Sequence, residues 1–215
     1  MAADASRGIE VLRAQCRLFM IGSSLFAIGT APGLAAFWSA QGSNLLCFMG
    51  SWFFTSAALL QLLLSKPAMR RTWSVPSTRA ECLSSAIQLF GTLNFNLSTG
   101  AALWAQRVPA RRHLVWGPDA VGSMAFLVSG VLGVAAVALA IGLQRWKSRP
   151  WLAASTSMIG SIAFAASAVG AFVTNAGSTE DAQLARLGTF VGALCFLTAA
   201  YLRLPRRCAD SARTA

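Results

Sequence analysis

Six blocks of uncharged, largely apolar sequence constrain this 215-residue chain more than any other feature. They cover residues 18–37, 44–64, 82–105, 120–142, 151–173 and 187–202, and none contains Asp, Glu, Lys, Arg or His. A helix of about 20 residues rises ~30 Å, enough to cross the hydrocarbon of a bilayer. Strand-type alternation is absent from all six blocks, which argues against a β-barrel. Only 12% of the residues are charged, against about 25% in a soluble domain. The surplus apolar surface therefore calls for lipid rather than water. We read the chain as all-α, a polytopic membrane protein of six transmembrane helices arranged as three two-helix hairpin repeats.

The net charge of +11 could suggest nucleic acid, but the placement of the charges argues otherwise. With both termini inside, fourteen Lys and Arg fall on the cytoplasmic side and four outside. That bias sets an N-in, C-in orientation. If the third block, the most polar, did not cross, the split would fall to eleven against seven. Six crossings are therefore preferred. The expected partners are the lipid bilayer and its anionic headgroups, with a homo-oligomer or a membrane-protein partner and no nucleic acid. The first block follows Arg7, Arg13 and Arg17 and resembles a signal peptide, but its length favours a retained anchor. Trp38, Trp104, Trp116, Trp146 and Trp151 fall at or near block ends, where an amphipathic ring suits the headgroup layer. Cys16, Cys47, Cys82, Cys195 and Cys208 show no metal-type spacing.

One short pattern recurs in every block. "MIGSSLFAIG" at 20–29 returns as "MIGSIAFAAS" at 158–167, and residues 45–62 align with 187–204. The shared element is Gly four residues before Phe: Gly22/Phe26, Gly50/Phe54, Gly91/Phe95, Gly122/Phe126, Gly160/Phe164 and Gly192/Phe196. Positions i and i+4 share one helix face. The glycine leaves a notch for a neighbouring helix, and close approach is how membrane helices gain contact energy, since lipid gives them no hydrophobic reason to associate. These twelve residues are the expected helix-packing set. The resulting division is an N-tail (1–17), hairpin unit 1 (18–64), unit 2 (82–142, with a long basic loop over 106–119), unit 3 (151–204) and a cytoplasmic C-tail (205–215). Pro32 should bend or end the first helix.

The two-helix units with Gly-Ser-x-x-Phe, together with "WGPDAVGSMAFLVSG" at 116–130, resemble the YrhK-like family of small, uncharacterised bacterial membrane proteins of actinobacterial type. The resemblance implies a multi-pass protein of the bacterial plasma membrane and carries no assigned activity.

Few residues invite chemistry. Asn94 and Asn96, with Gln88, are the most polar groups in mid-block and form the candidate polar site, as glue between helices or as a solute path. Asp119 follows Pro118 and is placed to cap the fourth helix, with Arg111 and Arg112 near enough to pair with it or with lipid phosphate. His113, the one histidine, sits in the basic loop. No block holds a histidine, lysine or carboxylate to serve a nucleophile, a haem or a proton relay. No enzyme, cofactor or metal is expected. The leading expectation is a structural, accessory or partner-binding membrane protein. The alternatives are a passive channel or carrier for a small neutral solute and, third, headgroup sensing by the basic loops.

Overall fold

A computed structural model describes residues 2–37, 39–72 and 74–205. Trp38, Cys208 and the C-tail beyond Pro205 lie outside the described residues. Six long helices dominate: α1 (Ala2–Thr30), α2 (Ala40–Thr72), α3 (Pro76–Ala101), α4 (Gly117–Ile141), α5 (Arg149–Gly170) and α6 (Ala182–Arg203). The described residues contain no strand, only one isolated antiparallel bridge between Val173 and Thr179. Five stretches are long and apolar enough to cross a membrane: Ser6–Thr30, Ala40–Ser65, Val108–Ile141, Arg149–Gly170 and Ala182–Arg203. The chain is thus an all-helical protein of multi-pass membrane type.

Local chemistry sets the helix ends. α1 stops at Thr30, two residues before Pro32, and the Thr30 hydroxyl donates back to the Phe26 carbonyl at 2.7 Å. Pro76 opens α3, where a missing N–H costs nothing. Asp181 caps α6, its carboxylate accepting from the N–H groups of Gln183 and Leu184, both at 2.9 Å.

Two expectations need correction. The basic stretch 106–119 is not a long loop. The chain re-enters helix at Val108–Ala110, runs through a π-helical segment Arg111–Trp116 and continues into α4 without a break. The π register explains how Pro118 is tolerated: the Gly117 N–H reaches back five residues to the Arg112 carbonyl just before the proline, which has no donor. Asp119 therefore caps nothing. It lies inside a continuous helix whose upstream turns already occupy the N–H groups it would have served, and the residue at the α4 boundary, Trp116, makes no side-chain cap.

Each long helix packs on the helices before and after it, and α1 also packs on α6, so the six form a closed ring. Within the pairs α1–α2, α3–α4 and α5–α6 one contact recurs. A methyl placed on Gly22 would lie 2.9 Å from the Gly50 carbonyl oxygen, and one on Gly50 would lie 2.9 Å from that of Gly22. The equivalent distances are 3.1 and 3.0 Å for Gly91 and Gly122, and 3.1 and 3.0 Å for Gly160 and Gly192. Each notch also seats the partner's ring: Gly50 meets Phe26, Gly122 meets Phe95 and Gly192 meets Phe164. A methyl at Gly22, Gly50 or Gly91 would force a neighbour to shift, and one at Gly122, Gly160 or Gly192 would press its neighbours back by a few tenths of an ångström.

The six rings, Phe26, Phe54, Phe95, Phe126, Phe164 and Phe196, converge in the middle of the ring of helices, and none exceeds 6% exposure. Neighbouring centroids stand 5.1 Å apart for Phe95–Phe126, 5.3 Å for Phe126–Phe196 and 5.5 Å for Phe26–Phe54. Most pairs meet edge-on or tilted, the arrangement in which aromatic pairs gain about 0.5–1.5 kcal/mol beyond area burial. Outside, every long helix shows exposed apolar side chains, such as Ile21, Trp52, Leu93, Met124, Ile162 and Val191. Inside sit Ser23, Ser51, Ser85, Thr92, Ser123 and Ser161, each almost fully buried.

Gly22→Ala should lower the thermal unfolding midpoint in detergent, since overpacking costs about 1–3 kcal/mol. Gly8→Ala, where a methyl meets nothing within 4 Å, should leave the midpoint unchanged or raise it slightly, because alanine favours the helix. Differential scanning fluorimetry of the two variants checks this.

Candidate functional site

The rings of the core divide the axis of the bundle into two compartments. At the end away from the chain termini a cavity of about 360 Å³ opens, floored by Phe26, Phe54, Phe95 and Phe164. Its walls carry Thr30, Asn44, Ser98, Thr99, Ser167 and Thr189, with the charged Arg111, Asp119 and Arg186. On the other side of the rings, Phe126 and Phe196 border a small chamber of about 30 Å³ that also touches Gln61, Ser84, Gln88 and Ser129. Beyond it a vestibule of about 570 Å³ opens at the terminal end, past Gln15, Glu81, Arg149 and Arg203.

The polar walls are held in place by hydrogen bonds between helices. On the terminal side Gln15 Nε2 donates to Gln61 Oε1 at 3.1 Å, and Gln61 Nε2 donates to Ser85 Oγ at 3.2 Å. Ser84 and Ser129 each donate to the other's carbonyl, at 2.8 and 2.9 Å, which ties α3 to α4. In the far cavity Asn44 Nδ2 donates to the Ala102 carbonyl at 3.0 Å, and the Ser167 and Thr189 hydroxyls meet at 2.7 Å. Gln61, Gly133 and Arg203 each follow the notch glycine of α2, α4 or α6 by eleven residues, and all three line the small chamber.

A cap covers part of the far cavity. Between α5 and α6 the chain turns at Gly177, whose φ of 84° suits glycine, and Val173 and Thr179 from this turn line the cavity. Two arginines of the π-helical segment grip it. Arg111 Nη1 donates to the Gly177 carbonyl at 2.8 Å, and Arg112 donates to the Val173 carbonyl through Nε at 3.0 Å and Nη2 at 2.7 Å. Arg112 Nη2 also reaches Asn175 Oδ1 at 2.9 Å, and its guanidinium stands 5.4 Å from the Phe172 ring. Trp116 completes the clamp, with Nε1 on the Ala168 carbonyl at 2.9 Å and its ring edge-on to Phe172 at 4.9 Å. These arginines therefore hold backbone carbonyls and make no pair with Asp119.

The residues expected to form the polar site are placed elsewhere. Asn94 donates to the carbonyl of Phe90 on its own helix at 2.9 Å, and Asn96 donates to Thr55 Oγ1 across the α2–α3 seam at 2.9 Å. Neither lines the cavities described above. Two residues apart on a helix means about 200° apart in direction, so the pair could not serve one axial path. Gln88, singled out with them, does border the small chamber. Asp119, half-buried in the far cavity, makes no hydrogen bond or ion pair among the described residues, and Arg186, an exposed residue that lines the same cavity, makes none either. His113 is exposed. Among the described residues no three His, Cys, Asp or Glu side chains gather to hold a metal ion.

Gln15, Gln61 and Arg186 went unremarked in the sequence. Gln61 had a legible signal, being the one amide in the run "ALLQLLL". Arg186 had none, because only the fold brings it over the cavity.

No family model matches the chain, and neither curated proteins nor solved structures yield a match.

Arg112→Gln should loosen the cap while leaving the ring of helices intact. A charge-assisted hydrogen bond contributes about 1.5–3 kcal/mol, so amide exchange at Val173–Glu180 should speed up at least tenfold. Hydrogen-exchange mass spectrometry reads this, with α2 as the internal reference.

Proposed function

We propose that this protein is a six-helix membrane carrier for a small polar solute without net charge, and that its resting state is closed by the phenylalanine plug. One observation carries the reading: two compartments with polar groups set in largely apolar walls open at opposite ends of the bundle, with six aromatic rings between them. The far cavity, about 360 Å³, falls within the size range of small-molecule sites. Asp119 and Arg186 present opposite, unpartnered charges to it, which suits a solute whose polar ends balance. An ionisable group unpaired at membrane depth is a functional candidate by default. Binding there and entry into the vestibule would require the rings to part.

The proposal includes the sixth crossing. α3 falls short in hydropathy because of Asn94 and Asn96 together with Ser84, Ser85, Gln88, Thr92 and Ser98, and the last five are buried inside the ring. Its outward residues, Leu83, Phe90, Leu93 and Leu97, are exposed and apolar. Most of the polarity that lowers its average therefore faces the interior, while Asn94 donates to the Phe90 carbonyl of its own helix and Asn96 to Thr55 at the α2–α3 seam. We also propose three hairpin units of one YrhK-like kind, in a bacterial plasma membrane with both termini cytoplasmic. The repeated glycine contacts and the fourteen-to-four bias in basic residues support this reading.

The structural or partner-binding role is the second reading, favoured by how completely the rings close the axis. In that reading any oligomer must use a new surface, because the six glycine notches are filled within the chain.

Flux into proteoliposomes separates the two. With a panel of glycerol, urea, glycine betaine and L-leucine, at least one solute should enter faster than into empty vesicles. Asp119→Asn should reduce that flux at least tenfold. Phe126→Ala, which removes a ring 1% exposed, should give a leak to several solutes. If wild type and Phe126→Ala both match empty vesicles for the whole panel, the carrier reading is lost.

A further inference from the structure

A second cleft lies at the terminal end, on the side of the bundle where α1, α5 and α6 meet. It measures about 450 Å³ and is lined by Arg13, Arg17, Arg149, Tyr201, Leu202, Leu204 and Pro205. Three guanidinium groups share it with no carboxylate in the lining. Arg149 is committed in part, donating through Nε to the Leu202 carbonyl at 3.0 Å and through Nη2 to the Tyr201 carbonyl at 3.3 Å, where it closes the end of α6. Arg13 and Arg17 make no hydrogen bond or ion pair among the described residues. They stand four apart on α1, so like charges are stacked on one helix face, an arrangement that is unfavourable by itself. An anion between them would remove that repulsion, and a guanidinium pairs with phosphate through two parallel N–H bonds.

We propose that this cleft binds the phosphate headgroup of an anionic phospholipid. Its depth in the bilayer favours lipid over a free anion: Arg17 immediately precedes the apolar run that begins at Leu18, which places it at the headgroup level. The rest of the lining is apolar, with Leu202, Leu204 and Pro205 beside the exposed ring of Tyr201. A volume of about 450 Å³ exceeds what a phosphate ion needs and leaves space for the glycerol backbone. The cleft shares Arg149 and Leu202 with the terminal vestibule but none of its lining with the far cavity, and its test involves no flux, so either proposal can fail without the other.

The experiment uses the full chain, delipidated in maltoside, with unfolding followed against added phosphatidylglycerol, phosphatidylcholine or inorganic phosphate. Phosphatidylglycerol should raise the midpoint in a saturable way, and the other two should not. Arg13→Gln/Arg17→Gln should weaken the apparent affinity at least tenfold. Arg145→Gln/Lys147→Gln, which removes cations outside the cleft, should not. If the double variant does not fold, Arg17→Gln alone, at an exposed position, should show a loss of severalfold that Arg17→Lys partly restores. Wild-type affinity in the Arg13/Arg17 variants would overturn the proposal. So would an equal response to inorganic phosphate, which would assign the cleft to a soluble anion.

Discussion

Everything in this bundle depends on backbone meeting backbone at six glycines. In lipid, helices gain nothing by hiding apolar surface from water, so contact has to come from dispersion and from groups that approach unusually closely. The paired glycines allow this: in each of the three pairs, the carbonyl of one glycine sits where the side chain of the other would be. Backbones this close gain dispersion contacts along the crossing. Their larger effect is geometric. Once the glycines fix the crossing point, the phenylalanine one turn later is aimed past the partner helix and into the centre of the ring.

That geometry produces the plug and, with it, the cavities. Six rings at one level fill the axis, while three of the hydroxyls beside the glycines bond to their own helices and Ser23 Oγ is buried without a partner. Ser51 donates to the Phe48 carbonyl at 2.7 Å, Thr92 to Leu89 at 2.8 Å and Ser161 to Ser157 at 3.0 Å. Such bonds satisfy a hydroxyl on its own helix, and Ser51 Oγ in addition meets Thr99 Oγ1 of α3 at 3.1 Å. Above and below the rings the side chains shorten to Ala, Ser and Thr, and the central space widens. The polar residues that could meet a solute sit in those wider parts, away from the notches themselves.

The sequence showed the crossing chemistry directly, because a glycine four residues before a phenylalanine is a local pattern. It did not show that the six rings meet, since that depends on three helix pairs closing into a ring. The basic stretch 106–119 was misread for a specific reason: three arginines, a histidine and Pro118 all look like loop signals. The π register lets the helix absorb the proline, and Arg111 and Arg112 use their charge on carbonyls of the 171–181 turn instead of on water. Asn94 and Asn96 stand out in the sequence, as glue between helices or as a solute path, because polarity in mid-membrane is costly. Asn94 meets that cost on its own helix and Asn96 meets it in part at the α2–α3 seam, where its Oδ1 stays buried without a partner. The lining of the cavities comes from many helices, one or two residues at a time, which no linear pattern announces.

Side-specific thiol labelling tests the plug most directly. In a cysteine-free background, Thr99→Cys would sit in the far cavity and Gly133→Cys in the vestibule at the terminal end. A membrane-impermeant maleimide applied to oriented vesicles should modify each from one side only, the two sides being opposite. Modification of both cysteines from the same side would mean that no barrier of rings lies between the two compartments.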